Sequence, residues 1–139
     1  MDKAFNWISI ILGAVGGFLA AALGGWDKWL LALVAFVVID YITGIVKAIF
    51  TKTLSSEIGF KGIIKKVFIF AVVAVAVIIQ GLIDNYLPLR DIVVCFYLTN
   101  EGISLLENIA EFVPIPEKIK EILLQLRDKT AVVQPKKGE

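Results

Sequence analysis

The fold is decided by the apolar run WLLALVAFVVIDYITGIVKAIF, which occupies residues 29–50. As an α-helix, a run of this length crosses the hydrocarbon core of a bilayer, which is about 30 Å thick. Asp40 near its middle costs about 2.5–3.5 kcal/mol at a helix centre, but the many Leu, Ile, Val and Phe side chains of the run outweigh that cost. The run therefore predicts a membrane-spanning helix that carries one intramembrane carboxylate.

The composition of the whole chain supports an integral membrane protein. Hydrophobic residues make up 58% of the 139 residues, against roughly 45–50% in soluble globular domains. There is no histidine and only one cysteine, Cys95, so neither a disulfide framework nor a Cys/His metal site can form within one chain. No nucleotide-binding glycine loop or catalytic triad is present. We therefore expect no catalytic residues, no cofactor, no metal and, at a net charge of +1, no nucleic-acid partner.

Three further apolar runs, at about residues 5–25, 67–83 and 92–108, give the predicted architecture. We expect an all-α integral membrane protein with three to four transmembrane helices, because the run 92–108 also carries several polar side chains. Residues 1–112 form the predicted membrane domain. Residues 113–130 form a short amphipathic helix, cytoplasmic or interfacial, and residues 131–139 form a disordered tail.

Small residues recur along the first run. Gly13, Gly17, Ala21 and Gly25 are spaced by four, so one side of the helix is nearly flat. Flat faces let helices approach closely in lipid, and we interpret this face as a helix-association surface, within the chain or between subunits. Two alternatives are a generic small-residue membrane helix and a cleaved signal peptide, since residues 20–22 resemble a cleavage site.

Two polar stripes lie within the apolar runs. One contains Asp40, Thr43 and Gly44, and the other contains Tyr97, Asn100, Glu101, Ser104 and Asn108. Ionisable groups inside a membrane face other helices or water, so we predict that the two stripes form one polar seam, with Asp40 opposite Asn100 and Glu101. The second stripe could instead line a water-filled path or lie in the membrane interface.

The connector between residues 51 and 66 is basic. It contains Lys52, Lys61, Lys65 and Lys66 against a single acidic residue, Glu57. Basic loops stay in the cytoplasm, so we predict a multi-pass arrangement with both termini inside; in a three-span form one terminus changes sides. A short juxtamembrane lysine cluster typically contacts anionic lipid headgroups.

Four motifs resemble the toxin secretion and phage lysis holin family, of the phage holin family 4 type. They are DYITG at 40–44, LSSEIGFKGIIKK at 54–66, NEGISLLEN at 100–108 and VPIP at 113–116. The resemblance implies a protein of the bacterial cytoplasmic membrane that forms homo-oligomers and opens lesions. Through them an endolysin, or in related systems a large secreted protein, crosses. The resemblance to this family implies no catalytic residues. An antiholin that regulates another holin and a small channel or transporter are the alternatives.

Overall fold

A computed structural model describes residues 2–130, which form five helices. The helices are α1 (Asp2–Ala22), α2 (Lys28–Phe50), α3 (Ser56–Leu82), α4 (Leu89–Ala110) and α5 (Glu117–Thr130). The predicted all-α fold class is confirmed. Helices α1, α2 and α3 are long and apolar enough to cross a membrane. The predicted tail, 131–139, lies outside the described residues.

The helix ends follow local chemistry. Helix α1 stops where Gly24 and Gly25 adopt φ angles of +81° and +97°, which glycine reaches without steric cost. The Asp27 carboxylate accepts a hydrogen bond of 2.8 Å from the Leu30 amide and so caps α2. Ser55 caps α3 in the same way, through the Ile58 amide at 3.2 Å.

Helix α3 begins well before the predicted span 67–83. Because Ser55 caps it, Lys61, Lys65 and Lys66 belong to the helix, and of the four lysines assigned to a basic loop only Lys52 lies in the turn. The loop assignment was wrong for the other three, because α3 continues through Gly59 and Gly62, two residues that weaken an isolated helix. Both glycines instead face the Tyr41 ring of α2 at close range.

Helices α2, α3 and α4 form the bundle, and α4 is its central element. Helix α4 packs closely against α2, α3 and α5, whereas the backbones of α2 and α3 lie farther from each other and meet through longer side chains such as Tyr41. At one end Arg90 of α4 pairs with Asp27 before α2, and at the other Lys47 of α2 lies 3.2 Å from Glu111. Helices α2 and α4 therefore run in the same direction, and α3 runs opposite to both, because Gln80 near its end accepts a hydrogen bond from the Arg90 amide at the start of α4.

The apolar core lies toward the Arg90 end of the bundle. It is made of the side chains Leu23, Leu30, Leu33, Val37, Ile69, Val73 and Val94. Tyr97 packs against this core and makes an edge contact with Phe96, their ring centroids being 5.2 Å apart. Tyr97 was predicted to share the polar seam, but its contacts are apolar.

Helix α1 stands apart from the bundle. None of its residues is buried, and a Cβ added at Gly13 or Gly17 would meet no atom within 4 Å. Ala21 is also exposed. Gly25 was predicted as the fourth member of this flat face, but it lies in the turn beyond the helix end. The association surface is thus unpartnered within the described chain, and its role stays a prediction.

Helix α5 folds back along α4. A Cβ at Gly102 of α4 would lie 3.1 Å from Cδ1 of Leu123 and 3.0 Å from Cε2 of Phe36, so the absent side chain at Gly102 makes room for both neighbours. Glu117 and Lys120 lie beside the end of α4, near Ala110. The C-terminal helix therefore packs on the bundle.

Candidate functional site

A three-residue ion cluster joins the three bundle helices. The ammonium of Lys66 on α3 donates hydrogen bonds to the carboxylates of Asp40 on α2 and Glu101 on α4. All three side chains are largely buried, with exposed fractions of 17%, 7% and 11% respectively. The cluster therefore connects α3 to both α2 and α4 through side chains.

An amide on α4 completes the surroundings of Asp40. The Asn108 Nδ2 group donates to Asp40 Oδ1 at 3.1 Å, to the Asp40 backbone oxygen at 3.3 Å and to Thr43 Oγ1 at 3.3 Å. The Thr43 hydroxyl itself donates to the carbonyl of Ile39 at 2.8 Å. Asp40 is therefore held by two helices other than its own.

The cluster carries unequal charge. One ammonium faces two carboxylates, so the three side chains sum to −1 when all are ionised. Carboxylates away from water are stabilised only by close partners, and removing one partner leaves an uncompensated charge. The arrangement is thus sensitive to any change that separates α3 from α2 and α4.

A polar cavity of about 550 Å³ opens beside the cluster, between α2, α3 and α4. Asn100, Ser104 and Lys65 line it, together with Gly44, and within residues 2–130 the side chains of the first three form no hydrogen bond. These groups are free to bind water or a polar ligand.

The structure brings most of the predicted seam together. Asp40, Thr43, Glu101 and Asn108 are linked through hydrogen bonds, and Gly44, Asn100 and Ser104 border the same cavity. Sequence reasoning placed Asp40 opposite Glu101 but missed that Lys66 stands between them. The serine cap at residue 55 was the available signal, because it places Lys66 three turns inside a helix.

A second buried charge, Arg90, was not predicted. Its guanidinium donates to the carbonyls of Leu23 (2.6 Å) and Gly25 (2.9 Å) and to the Asp27 carboxylate (2.6 Å). Its backbone amide donates to the Gln80 side chain at 2.9 Å. Arg90 thereby ties the turn after α1 to the start of α4.

The Arg90 guanidinium also affects the titration of Asp27. Its hydrogen bond, together with that of the Leu30 amide, lowers the pKa of the Asp27 carboxyl below the usual value. A carboxyl with a lowered pKa in the folded state stabilises the protein above its unfolded pKa. That contribution is lost as the pH falls through the lowered folded pKa. The ion pair between Asp27 and Arg90 therefore stabilises the turn at neutral pH and loses this effect in acid.

Substituting Gly24 tests how tightly the turn fits against Arg90. A Cβ at Gly24 would lie 2.6 Å from Arg90 Nε, whereas one at Gly25 would meet nothing within 4 Å. Both have positive φ, so each Gly→Ala change costs about 1–2 kcal/mol of backbone strain. We expect Gly24→Ala to lower the unfolding temperature in detergent clearly more than Gly25→Ala. Equal losses would show that the Arg90 contact does not matter.

Comparison with known proteins shows clear relatives. The bacteriophage holin family model matches residues 17–128. An uncharacterized 14.9 kDa protein from the nagH 3′ region of Clostridium perfringens is 42% identical over 131 residues, which cover 93% of this chain and 99% of that protein. A probable holin of Bacillus phage phi105 is 38% identical over 104 residues, covering 74% of this chain and 77% of its own. No solved structure matches.

Proposed function

Because the chain belongs to the bacteriophage holin family, we propose that it oligomerises in the bacterial cytoplasmic membrane and permeabilises it. An endolysin, or a secreted toxin-like protein, then crosses. The observation that carries this proposal is the family match together with an ion cluster buried between apolar helices. The role is non-enzymatic, and the partners are the lipid bilayer, further copies of the chain and an endolysin.

The ion cluster offers a route from a closed to an open state. In the isolated subunit, Lys66, Asp40 and Glu101 satisfy one another away from water. If subunits assemble so that this face meets a water-filled lumen, the same groups gain hydration. This hydration offsets the cost of separating the three charges, and opening becomes cooperative because every subunit of the assembly contributes one cluster to the same lumen.

The topology that we propose has four crossings with both termini in the cytoplasm. Helix α4 can cross despite its polar groups because Lys66 of α3 pairs with its Glu101 and Asp40 of α2 accepts from its Asn108. The lysines of the Ser56 end of α3 then lie inside, in keeping with the positive-inside rule. The exposed small-residue face of α1, with Gly13, Gly17 and Ala21, is available for contacts between subunits.

Induced expression with and without a cytoplasmic endolysin tests this function. We expect abrupt loss of membrane potential in both strains, and lysis only where the endolysin is present. An equally expressed, membrane-inserted fragment of an unrelated multi-pass protein serves as the control. Depolarisation without passage of a protein-sized marker would instead indicate a small channel. Absence of depolarisation combined with delayed action of another holin would indicate an antiholin.

A further inference from the structure

Two charged side chains of the bundle helices have no partner in the described part of the chain. Within residues 2–130, the other charged side chains of α2, α3 and α4 contact an opposite charge or, at Lys28, lie over an aromatic ring. Lys65 on α3 and Glu107 on α4 form neither an ion pair nor a hydrogen bond with these residues, and both are exposed. The two unpartnered groups have opposite charges.

Both charges lie inside the apolar part of the bundle. Its end is marked by the rings of Phe50 and Phe112, whose centroids are 5.1 Å apart. Lys65 lies nine residues after the start of α3, about 14 Å inside this end, and Glu107 lies three residues before the end of α4, about 5 Å inside. Unpaired charges at such depths in lipid are costly and face polar partners. The flexible lysine stem can carry the ammonium toward the level of the carboxylate.

Glu107 borders a hollow of about 310 Å³ between the end of α4 and the start of α5, which we term the Glu107 hollow. Two more charged side chains, Glu117 and Lys120, border it, and within residues 2–130 the three form no ion pair with one another. Their charges sum to −1 when all are ionised, so the hollow favours one further cation. The rest of its wall is apolar and consists of Leu106, Ala110, Pro114 and Ile115. A lysine side chain, with an aliphatic stem and a charged end, matches both parts of this wall.

Lys65 and the Glu107 hollow belong to different parts of the surface. Lys65 borders the polar cavity between α2, α3 and α4, and that cavity shares no lining residue with the Glu107 hollow. On α3, Lys65 is in line with Phe68 and Val72, which are 64% and 40% exposed, so this side of the helix faces away from the bundle. A contact between two different surfaces of identical chains is heterologous and repeats from copy to copy.

We propose that Lys65 of one subunit inserts into the Glu107 hollow of the next and so joins the subunits head to tail. Its ammonium donates to the Glu107 carboxylate, and its stem packs on Leu106 and Ile115. Each subunit then contributes one lysine and one hollow, so the contact can repeat around a ring and leave neither charge unpaired in lipid. This contact rests on the oligomerisation proposed above and assigns the surfaces that produce it.

Disulfide cross-linking of the full-length chain in membranes tests the contact. Two chains with different tags are coexpressed, one with Lys65→Cys and one with Glu107→Cys, both in a Cys95→Ala background. Oxidation should link the two tags, because residue 65 of one copy meets residue 107 of the next. Asp91→Cys in place of Glu107→Cys is the control, since Asp91 is exposed at the other end of α4, and it should give no such product. No link between the tags, or an equal yield with Asp91→Cys, would overturn the proposal.

Charge reversal tests the electrostatic basis of the contact. Lys65→Glu and Glu107→Lys each place like charges at every contact, so each should lower the fraction of protein recovered as oligomers in mild detergent on the order of tenfold. Coexpressing the two variants should restore the oligomers, because the introduced carboxylate of one chain then meets the introduced ammonium of the other. Lys61→Glu changes an exposed lysine that borders neither hollow, and it should leave the oligomers unchanged.

A lysine that only reaches lipid headgroups gives a different result. The defect of Lys65→Glu would then not be relieved by coexpressed Glu107→Lys, and this outcome would also contradict the proposal. Oligomers are scored without an endolysin, and membrane potential is measured separately on the unaltered chain. If that chain depolarises membranes but positions 65 and 107 do not cross-link, only the assigned contact is wrong. If it neither depolarises membranes nor forms oligomers, the proposed function is wrong as well.

Discussion

Lys66→Met should lower the free energy of unfolding by about 3–5 kcal/mol, because it leaves Asp40 and Glu101 buried without their shared counter-ion. Methionine is similar in length to the lysine stem, so the loss reports the charge more than the packing. Reversible unfolding of the detergent-solubilised protein in denaturant measures it. The expected effect is large because Lys66 connects three helices, pairing from α3 with Asp40 of α2 and Glu101 of α4.

Two further variants show whether the loss in Lys66→Met comes from the ion cluster or from a general effect of replacing a lysine in α3. Lys61→Met removes an exposed lysine whose ion-pair partner within residues 2–130 is Glu57, one turn away, and should cost about 0.3–0.5 kcal/mol. Placing Lys66→Met in an Asp40→Asn, Glu101→Gln background should recover most of the loss, because the carboxylates are then neutral. If Lys66→Met were no worse than Lys61→Met, the cluster would contribute nothing to stability.

The Lys66 cluster and the Arg90 network hold the bundle at two levels. Asp40 follows Asp27 by 13 positions, which corresponds to about 20 Å along a helix. Between these levels lies the apolar core around Leu33 and Val73. A subunit built this way can loosen at the Lys66 level while Arg90 keeps the other end closed, which suits a protein proposed to change from a closed to an open assembly.

The sequence predicted the polar seam because intramembrane carboxylates are costly and need partners. That argument placed Asp40 opposite Glu101 without any knowledge of the packing. It did not find Lys66, because a lysine next to Lys65 and a glycine-containing segment is typical of a connector. Only the cap at Ser55 and the α3–α4 packing put its ammonium between two carboxylates.

Other features depended on contacts that no local pattern specifies. Arg90 lies between the predicted spans 67–83 and 92–108, yet the structure places it in the first turn of α4, directly after Pro88 and Leu89. Its partners Leu23 and Asp27 are more than sixty positions away. The packing of α5 likewise depends on Gly102, which leaves room for Leu123. The amphipathic patterns of α4 and α5 do not specify which faces of the two helices meet.

Arg90→Leu should release the turn after α1 and destabilise the protein by about 2–4 kcal/mol. The guanidinium makes short hydrogen bonds to two carbonyls and to the Asp27 carboxylate, besides a longer one to Asp91, and hydrogen bonds to charged groups are worth about 1.5–3 kcal/mol each. We expect less than the sum of these bonds, because Asp27 is 42% exposed and water can replace part of the lost donors there. Arg90→Lys should recover only part of the loss, since an ammonium cannot reproduce the planar fork that reaches Leu23, Gly25 and Asp27 together.

Hydrogen exchange locates this effect. No residue of α1 is buried, so its attachment depends on the turn that Arg90 holds. In Arg90→Leu, the amides of residues 23–27 should exchange faster, while those around Glu101 keep their protection. Asp91→Asn is the matched control, because Asp91 is exposed and contacts the guanidinium only through one long hydrogen bond of 3.3 Å. This substitution should change neither the stability nor the exchange rates appreciably. Faster exchange spread evenly over α2, α3 and α4 would mean that Arg90 stabilises the whole bundle and does not act as a local tie for α1.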